Sequence, residues 1–556
     1  MLLQNLSLPH AIGIILLALS VYVVFRCIYD LFFHPLSKFP GPKRAAIWSF
    51  YESYYDVFKD GTYLWKIGEM HQKYGPIVRI NSKSLHIHDP DYFSAIYAGG
   101  GRKVNKEPSA VSGYTFPHSS IATIDHDLHR KRRAIVSPYF SKRMITNLDP
   151  VINERLDKLC SRLGETIGPS SIVDLTSAFS AFTAVVVTYH FYGSTPDYLS
   201  SEGFQFGLKD ALTALLDFYH ITRFLPFEPT TIKNLPLPLL RLLNPNFGLV
   251  VAARHSNMEK VMRVLADPKE KKSKADSVII SALTDASIPS EEKNLNRLLD
   301  EGETIIFAGI DTTARTLGVA MFHLLNKKVH VRKLREEINA RAKPADHVWT
   351  VAELESLPYM RGVVQEALRL TYGLVVRIPR VSAEEALRYQ DFIIPPGVGQ
   401  HRHLLLVLYD YSLTSQTPVS QSTYFINNDP SIFPNPSVFD PERWIRAANE
   451  GVNLDKYMVS FSKGSRACLG IKYVVFPCPD GLRRRCTSFT MIDTLADRDS
   501  SLAYAMLYLG INKLVSGLEM DLYNTTQQDI DVYHTRGFAF PKEGSGAVRA
   551  KVVAVR

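Results

Sequence analysis

The sequence is poor in cysteine, in charged residues and in repetition. It has five cysteines among 556 residues, too few for a disulfide framework or an array of zinc modules, so a reducing compartment is favoured. Charged residues make up only 21% of the chain, against 46% hydrophobic residues, which excludes global disorder and allows a sizeable core. Without an internal repeat or a second long apolar run, collagen, coiled coils and multi-span transporters are also excluded.

The charge is nearly balanced, with a modest basic excess. Lys plus Arg total 64 and Asp plus Glu total 55, a net charge of +9, which suits an acidic partner or an anionic membrane surface. The basic run His129-Arg-Lys-Arg-Arg133 is of a kind found in nucleic-acid-binding proteins. No recognised nucleic-acid module accompanies it, so we predict no nucleic-acid partner.

The N-terminus predicts a membrane anchor. Residues 1–25 carry no formal charge, and a bilayer needs roughly 20 apolar residues. Positive charges follow this run rather than precede it, which disfavours a cleaved signal peptide and places the rest of the chain in the cytosol. We predict an anchor at 1–30, a stiff proline-rich hinge at 31–45 and one large domain at 46–556. A buried core helix is the alternative for the apolar run.

The periodicity of the body predicts a mainly α domain with small β-sheets. Short strand-like runs occur at Ile77–Ile80 and Leu85–His88, and residues 150–370 are mostly helical in pattern. Beyond residue 375, prolines punctuate strands and loops.

The strongest local signal is the segment Phe461-Ser-Lys-Gly464-Ser-Arg466-Ala-Cys468-Leu-Gly470. Its glycines permit a tight turn and close approach of the backbone to a flat ligand. Arg466 can neutralise a carboxylate, and Cys468 can supply a thiolate to a metal. The alternative is a glycine-rich turn that carries a free buried thiol.

A second signal lies in the apolar helix predicted over Glu303–Leu324. It contains Ala308-Gly-Ile-Asp311-Thr312-Thr313, although Gly, Asp and Thr lower helix propensity and threonine hydroxyls can bend a helix. Their presence indicates a groove and a path for protons. A slightly polar core helix is the alternative.

Two further motifs complete a series in a fixed order. Glu366-Ala-Leu-Arg369 places a carboxylate and a guanidinium on one helix face, and Phe439-Asp-Pro-Glu-Arg443-Trp444 follows. With the cysteine segment, they resemble the cytochrome P-450 superfamily, the haem-thiolate monooxygenases, whose haem loop reads F-x-x-G-x-R-x-C-x-G. The resemblance runs from about residue 30 to the end, and its local phrases look most like trichodiene-oxygenase-like enzymes of filamentous fungi.

The resemblance implies a role for each motif residue. Cys468 would ligate the haem iron, and Asp311 and Thr312 would deliver protons on the distal side. The cofactor-binding residues would be the haem-loop residues Phe461, Gly464 and Gly470 together with the propionate-binding His129, Arg133, Arg380 and Arg466. Glu366, Arg369 and Arg443 would form a buried structural network. Arg130, Lys131 and Arg132 would face solvent, where an acidic reductase could dock.

The implied function is hydroxylation or epoxidation of a lipophilic secondary metabolite, a terpenoid or polyketide intermediate. The cofactor would be haem b, with electrons from NADPH through an NADPH–cytochrome reductase and a b-type cytochrome as a further partner. The protein would lie in the endoplasmic reticulum membrane as a single-pass protein with a cytosolic catalytic domain. Two alternatives stay open: a reductase-independent haem-thiolate isomerase or dehydratase, and a catalytically inactive product of a mis-spliced gene model.

The sequence departs from the family pattern in two segments, 398–416 and 473–501. The family phrase breaks off after Pro395-Pro-Gly397 and resumes at Thr417, and it breaks off again after Ile471 and resumes at Leu502. We interpret both segments as translated, unspliced introns.

Codon boundaries permit that interpretation. Every Val codon begins with GT and one Gln codon ends in AG, so Val398–Gln416 can be an in-frame intron. Lys472 as AA|G and Ser501 as AG|C would rejoin as AAC, an Asn codon. The alternative is two genuine surface insertions, which loops tolerate at low cost.

Overall fold

The fold is taken from a computed structural model. It describes residues 8–47, 50–97, 102–168, 171–224, 238–239, 245–269, 277–341, 343–344, 347–396, 417–471, 501–542 and 544–556. The described chain is mostly helical with small sheets, which confirms the predicted class. Both interpreted introns, 398–416 and 473–501, fall outside the described residues except for Ser501.

The α-helices follow one another along the whole chain. They are α1 (Leu8–Ile28), α2 (Lys43–Ile47), α3 (Phe50–Ser53), α4 (Tyr63–Tyr74), α5 (Phe93–Tyr97), α6 (Ser109–Ser112), α7 (His126–Val136), α8 (Lys142–Thr146), α9 (Asp149–Gly164), α10 (Leu175–Tyr192), α11 (Gly207–Thr222), α12 (Pro245–Ala266), α13 (Val278–Thr284), α14 (Leu295–Asn326), α15 (Lys328–Asn339), α16 (Val351–Glu355), α17 (Pro358–Thr371), α18 (Thr423–Asn427), α19 (Glu442–Asn449) and α20 (Leu502–Gly517).

The strands are short and form small sheets. They are β1 (Ile77–Arg79), β2 (Leu85–Ile87), β3 (Val104–Lys106), β4 (Val173–Asp174), β5 (Arg380–Ser382), β6 (Leu387–Tyr389), β7 (Phe392–Ile394), β8 (Val419–Ser420), β9 (Leu518–Leu522), β10 (His534–Arg536), β11 (Phe538–Phe540) and β12 (Arg549–Val555). One sheet has the order β1-β2-β8-β5-β3 and another the order β4-β12-β9, while β6 pairs with β7 and β10 with β11. The predicted strand runs near residues 77 and 85 correspond to β1 and β2.

The long helix α14 runs through the core. It packs against α10, α17 and α20, and its C-terminal half from Leu317 to Leu325 is buried on all sides. A helix that is apolar around its circumference is stable only when other elements surround it. It therefore fixes the position of everything packed on it, including the Asp311 region.

The N-terminal helix is different in kind. The most apolar 18-residue window within Ile12–Phe33 has a mean hydropathy of 2.3 and no buried residue, whereas 61% of the apolar window in α14 is buried. Length and exposure fit a membrane span at the N-terminus and a core helix at α14.

The predicted hinge at 31–45 packs onto the body. Leu36 and Phe39 are buried, and the N–H of Arg79 in β1 donates to the Pro40 carbonyl at 2.7 Å. A Cβ at Gly41 would lie 2.5 Å from the Arg79 carbonyl oxygen, so only glycine fits there. The segment is thus a docked connection whose last residues begin α2 at Lys43.

Several histidines are buried as neutral rings. His323 in α14 stacks on Phe439 with ring centroids 4.5 Å apart, and its Nε2 has no hydrogen-bond partner among the described residues. Burial, with smaller contributions from His330, Lys327 and Arg369, lowers the pKa of His323 to about 3. The unfolded chain therefore binds a proton below about pH 6.5 that the folded chain does not.

This predicts acid sensitivity that one substitution reduces. The His323 contribution is fully present above pH 6.5, and stability falls by about 1.4 kcal/mol per pH unit for this group as the pH drops towards 3. His323→Phe removes the titration, so its unfolding free energy depends less steeply on pH. Urea unfolding in detergent between pH 7.5 and 5 measures the slope. Equal slopes in the two proteins would contradict the prediction.

Candidate active site

The Cys468 loop lies directly before the segment that leads to α20. Gly464–Arg466 form a 3₁₀ turn, and Gly464 has φ +74°, a left-handed conformation that glycine adopts without strain. The N–H of Cys468 donates to the Phe461 carbonyl at 2.9 Å, which closes the loop. The Phe461 ring packs against Tyr504 of α20, with centroids 5.5 Å apart. The loop is therefore rigid and held by the helix behind it.

Cys468 is an exposed residue of this loop, although protein atoms surround its thiol closely enough to affect the pKa. Burial raises the pKa of the thiol, while the backbone N–H groups of Gly470 and Ile471 and the nearby Arg133 lower it. The groups that lower the pKa favour the thiolate, which is the form of cysteine that binds a metal.

Basic side chains gather beside the loop. His129, Arg133, Arg380 and Arg466 are all buried or half-buried. Among the described residues, no carboxylate lies within 4.0 Å of any of them; Asp125 and Glu301 act on Arg466 and Arg133 only from farther away. Burial and Arg380 lower the pKa of Arg466 to about 9. Several buried positive charges close together are stable only beside an anion, and the described residues do not supply one.

The three arginines of this set donate to backbone carbonyls. The Arg466 guanidinium donates to the carbonyls of Thr123 and Ile124 at 2.7 Å, and Arg133 donates to the Ala467 carbonyl at 2.6 Å. Arg380 lies over the Tyr97 ring. His129 Nδ1 is buried without a partner in the described structure. The donors left over are available to a bound group.

The pKa of His129 reflects the positive charges that surround it. Burial is the largest cause that lowers the pKa of His129, to about 2, followed by Arg466, Lys106, Arg133 and Arg380. Lys106 in β3 belongs to this set, and sequence reasoning missed it. The only signal in the sequence is a lysine two residues after Val104, on the same face of a short strand.

The expectation that Arg130, Lys131 and Arg132 all face solvent is wrong for Arg132. Arg130 and Lys131 are exposed. Arg132 is half-buried, donates to Thr123 Oγ1 at 2.9 Å and lies 3.6 Å from a Glu292 carboxylate oxygen. Its position on the helix turns it towards the protein, so it contributes to holding α7 in place.

Glu366, Arg369 and Arg443 lie together behind the loop. Arg369 donates to both Glu366 oxygens, at 2.9 and 2.8 Å, and Arg443 Nε lies 3.2 Å from Oε1. The Trp444 indole N–H and the Asp440 N–H also donate to this carboxylate, at 3.0 and 3.1 Å. Glu366 and Arg369 are fully buried. Most of these donors have an acceptor, and Arg443 Nε makes the ion-pair contact alone, so the carboxylate and the two guanidiniums compensate one another's charge.

The same network joins separate parts of the chain. Arg369 also donates to backbone carbonyls of Asn427 and Pro436, and Arg443 donates to that of Pro434. It thus ties α17 to the loop before α19. The side chain of Asn427 then bonds Ser460, next to the cysteine loop, at 3.1 Å.

Asp311 and Thr312 lie in the middle of α14. The Thr312 hydroxyl donates to the Ala308 carbonyl at 2.6 Å, so it bonds back into its own helix. Gly309 faces α10, where a Cβ would lie 2.9 Å from Val187; this glycine permits helix packing instead of opening a groove. Burial raises the pKa of Asp311, and Arg315, one turn along, and Lys209 lower it.

The neighbouring interior is apolar and aromatic. Phe307 in α14 lies 6.3 Å from Phe116 and 6.4 Å from Phe538 between ring centroids. A cavity of about 160 Å³ continues from Phe307 between α10, α11, α12 and α14. Its polar end carries Arg254, which pairs with Glu303 at 2.6 Å. Such a lining suits a lipophilic ligand.

Gly470, which precedes the segment 473–501, lies close to Ser501 at the end of that segment. A Cβ placed on Gly470 would be 4.0 Å from the Ser501 hydroxyl. Ser501 is buried and precedes the first turn of α20 with an extended backbone, and its hydroxyl has no partner among the described residues. This is the N-cap position, where asparagine is among the preferred residues.

The described residues fit a flat group that carries a metal and two carboxylates. A cysteine lies beside buried cations, and among the described residues no carboxylate is within ion-pair distance of these cations. An iron porphyrin has these features, and thiolate-ligated haem is a known arrangement.

Comparison with known proteins agrees with this fit. The family model described as Cytochrome P450 matches residues 54–400 and 384–472. The chain is 63% identical to the cytochrome P450 monooxygenase astB of Aspergillus terreus over 558 residues, which cover 100% of this chain and 99% of that protein. It is 41% identical to the cytochrome P450 monooxygenase TRI4 of Fusarium sporotrichioides, over 99% and 98% of the two chains. It is 40% identical to the conidiogenone synthase PchP450 of Penicillium rubens, over 95% and 96%.

The Glu366 network predicts a large stability loss from one substitution. Glu366→Gln keeps the shape but leaves two buried guanidiniums without their carboxylate, which costs about 3–5 kcal/mol. Denaturant unfolding in detergent measures it. Glu69→Gln, which breaks the exposed pair between Lys66 and Glu69, is the matched control and changes stability little. A Glu366 variant as stable as this control would show that the network does not stabilise the region behind the cysteine loop.

Proposed function

This chain belongs to the cytochrome P450 family, and we propose that it hydroxylates or epoxidises a lipophilic terpenoid or polyketide intermediate. It is a monooxygenase that acts on a secondary metabolite, and its family works with haem and with electrons from a reductase. The haem, as haem b, supplies dioxygen activation and the transfer of one oxygen atom. The protein contributes binding, orientation and proton delivery.

Cys468 is the residue proposed to ligate the iron. The observation that carries this assignment is the position of Cys468 next to the buried cations, since the Arg133 guanidinium donates to the carbonyls of Ala467 and Cys468 at 2.6 and 3.3 Å. A cation beside a cysteine stabilises the thiolate that the metal requires. Phe461 and Gly464 keep the loop in this shape through the closing hydrogen bond and the left-handed turn.

The two propionates would lie against His129, Arg133, Arg380 and Arg466. These side chains are buried together without a carboxylate within ion-pair distance in the described structure, and guanidinium groups form strong charge-assisted bonds with carboxylates. Glu366, Arg369 and Arg443 have a different role. They hold the region behind the cysteine loop in place and make no contact with the reacting atoms.

Asp311 and Thr312 are proposed to move protons on the distal side. Burial raises the pKa of Asp311, so its carboxyl holds a proton to a higher pH than an exposed aspartate and can act as a donor. The Thr312 hydroxyl, bonded to the Ala308 carbonyl, is held at a defined position one residue away. Arg315 and Lys209 lower the same pKa and limit how far it rises.

The proposed substrate class follows from the side chains that line the interior near Asp311 and Thr312. Phe116, Phe307 and Phe538 with the adjoining cavity favour an apolar molecule, and the Arg254–Glu303 pair can meet one polar group at its far end. The relative PchP450 of Penicillium rubens is named a conidiogenone synthase, which supports a role of this chain in the synthesis of a metabolite.

The partners and location are proposed from the surface and the N-terminus. The apolar helix α1 would anchor the protein in the endoplasmic reticulum membrane with the domain at 46–556 in the cytosol. An NADPH–cytochrome reductase, and a b-type cytochrome as a second donor, would dock by acidic groups near the exposed Arg130 and Lys131.

We also propose that 398–416 and 473–501 are absent from the working enzyme. The two matches to the family model end at residues 400 and 472, close to where each segment begins. Gly470 lies close to Ser501, which supports a join of Ile471 to Leu502 through one residue. The asparagine that the codon argument supplies would cap α20.

Spectra of two chains test the haem site and this trimming together. One chain is as written, and the other lacks 398–416 and 473–501 with Lys472 replaced by Asn. After reduction and addition of carbon monoxide, we expect a thiolate-type Soret band in the trimmed chain, absent from its Cys468→Ser variant. The same band in both lengths would overturn the trimming, and no band in either would favour an inactive product.

Proton delivery predicts a defect confined to turnover. Asp311→Asn keeps the size of the side chain but cannot donate an acidic proton, so product formation falls by about 10²–10⁴-fold. Haem content and substrate affinity stay unchanged. Product formed per NADPH consumed, with the solvent isotope effect on that ratio, measures the step. An unchanged product rate would remove Asp311 from the proton path.

A further inference from the structure

Lys106 is a buried lysine that no motif accounts for. Its side chain is 8% exposed, at the end of β3. Its ammonium donates to the Ile121 carbonyl, and among the described residues no carboxylate lies within 4.0 Å. An ammonium has three donors, so two remain for another partner. The adjacent Glu107 does not supply one, because it pairs with Lys83 at 2.8 Å.

Strand pairing places a second cation directly beside it. Lys106 is the antiparallel partner of Arg380 in β5, and directly opposed residues in a sheet project from the same face. Arg380 is 3% exposed. Like charges opposite each other destabilise a sheet, and more so when buried. A pair of this kind is stable when an anion lies between or beside the two groups.

The other cations reach the same strand from two directions. Arg466 Nε lies 3.3 Å from the Val104 carbonyl in β3. Helix α7 is tied to β3 because the His126 N–H donates to the Asn105 side chain at 2.9 Å. One turn later the same helix presents His129. Strand β3 is therefore a common support for the haem-loop arginine, the helix histidine and Lys106.

We propose that Lys106 is a further residue of the cofactor-binding site and donates to a haem propionate. This rests on the proposed function, in which the site holds haem, and it assigns to this chain a propionate contact outside the four motif residues. The propionate carboxylate supplies the negative charge that balances Lys106 and Arg380, and it accepts hydrogen bonds from the Lys106 ammonium.

A proton balance follows from this placement. Burial lowers the pKa of Lys106 well below its ordinary value, and Arg380 and Arg466 lower it further. The other titratable groups that act on Arg380 are Tyr97 and Tyr114, and His129 lies on the α7 side. A bound carboxylate raises this pKa again, so haem binding takes up a proton and haem affinity increases as the pH falls.

Haem loss from the full chain tests the proposal. The chain, in the length that the spectra show to bind haem, is loaded with haem or with haem dimethyl ester, whose propionates cannot carry charge. Transfer of the cofactor to excess apomyoglobin is then timed. Lys106→Met should lose haem about 10–100-fold faster than the parent, as expected for a lost bond to a charged group. Both proteins should lose the ester at the same rate.

Two variants complete the comparison. Lys106→Arg should restore slow haem loss because it keeps the charge. Lys103→Met, which removes an exposed lysine three residues earlier that pairs with Asp127 and Glu384 at the surface, should behave as the parent. The pH dependence of haem affinity should flatten in Lys106→Met alone.

Equal haem loss in Lys106→Met and parent would overturn the proposal. So would equally faster loss of haem and ester, since that result indicates a role in folding only. A parent chain of either length that binds no haem would overturn the proposed function and this inference together.

Discussion

Charge that is buried in a protein must be neutralised, and this fold meets that requirement in two opposite ways around Cys468. Behind the loop, Glu366 is neutralised within the chain, by Arg369 and Arg443. In front of it, Lys106 and Arg380 face each other across a sheet with no carboxylate near in the described structure. The first arrangement is complete without a ligand, and the second needs one. The asymmetry makes the loop both a rigid support and a receptor for an anionic cofactor.

The rest of the architecture serves this asymmetry. Helix α14 crosses the core and carries Asp311 and Thr312, and α10 packs closely on it at Gly309, where a Cβ would lie 2.9 Å from Val187. Helix α20 supports the loop from behind through Tyr504. Burial acts on both sides of the site in the same sense, because it disfavours charged forms. It raises the pKa of the Cys468 thiol and the Asp311 carboxyl, and it lowers the pKa of His129.

Much of the site could be predicted from short patterns. The haem-loop residues are contiguous, and Glu366 and Arg369 are three apart on one helix, so their proximity follows from local geometry. Lys106 could not be predicted, because its partner Arg380 is opposite only through sheet pairing between distant segments. Arg132 was predicted wrongly for the same reason: its partner Glu292 belongs to another part of the chain. The hinge was read as a turn, and its burial against β1 depends on Arg79.

The sequence by itself determined the chemistry: a thiol between glycines, a carboxylate with two arginines, an apolar helix interrupted by Asp and Thr, and an apolar N-terminus. These depend on residue type and on spacings of a few residues, which the backbone converts directly into geometry. Only the tertiary structure decided which charges are left unpaired, that Gly309 serves helix packing and that Gly470 lies close to Ser501. Those outcomes depend on contacts between residues far apart along the chain, and desolvation sets their energy only once the chain has folded around them.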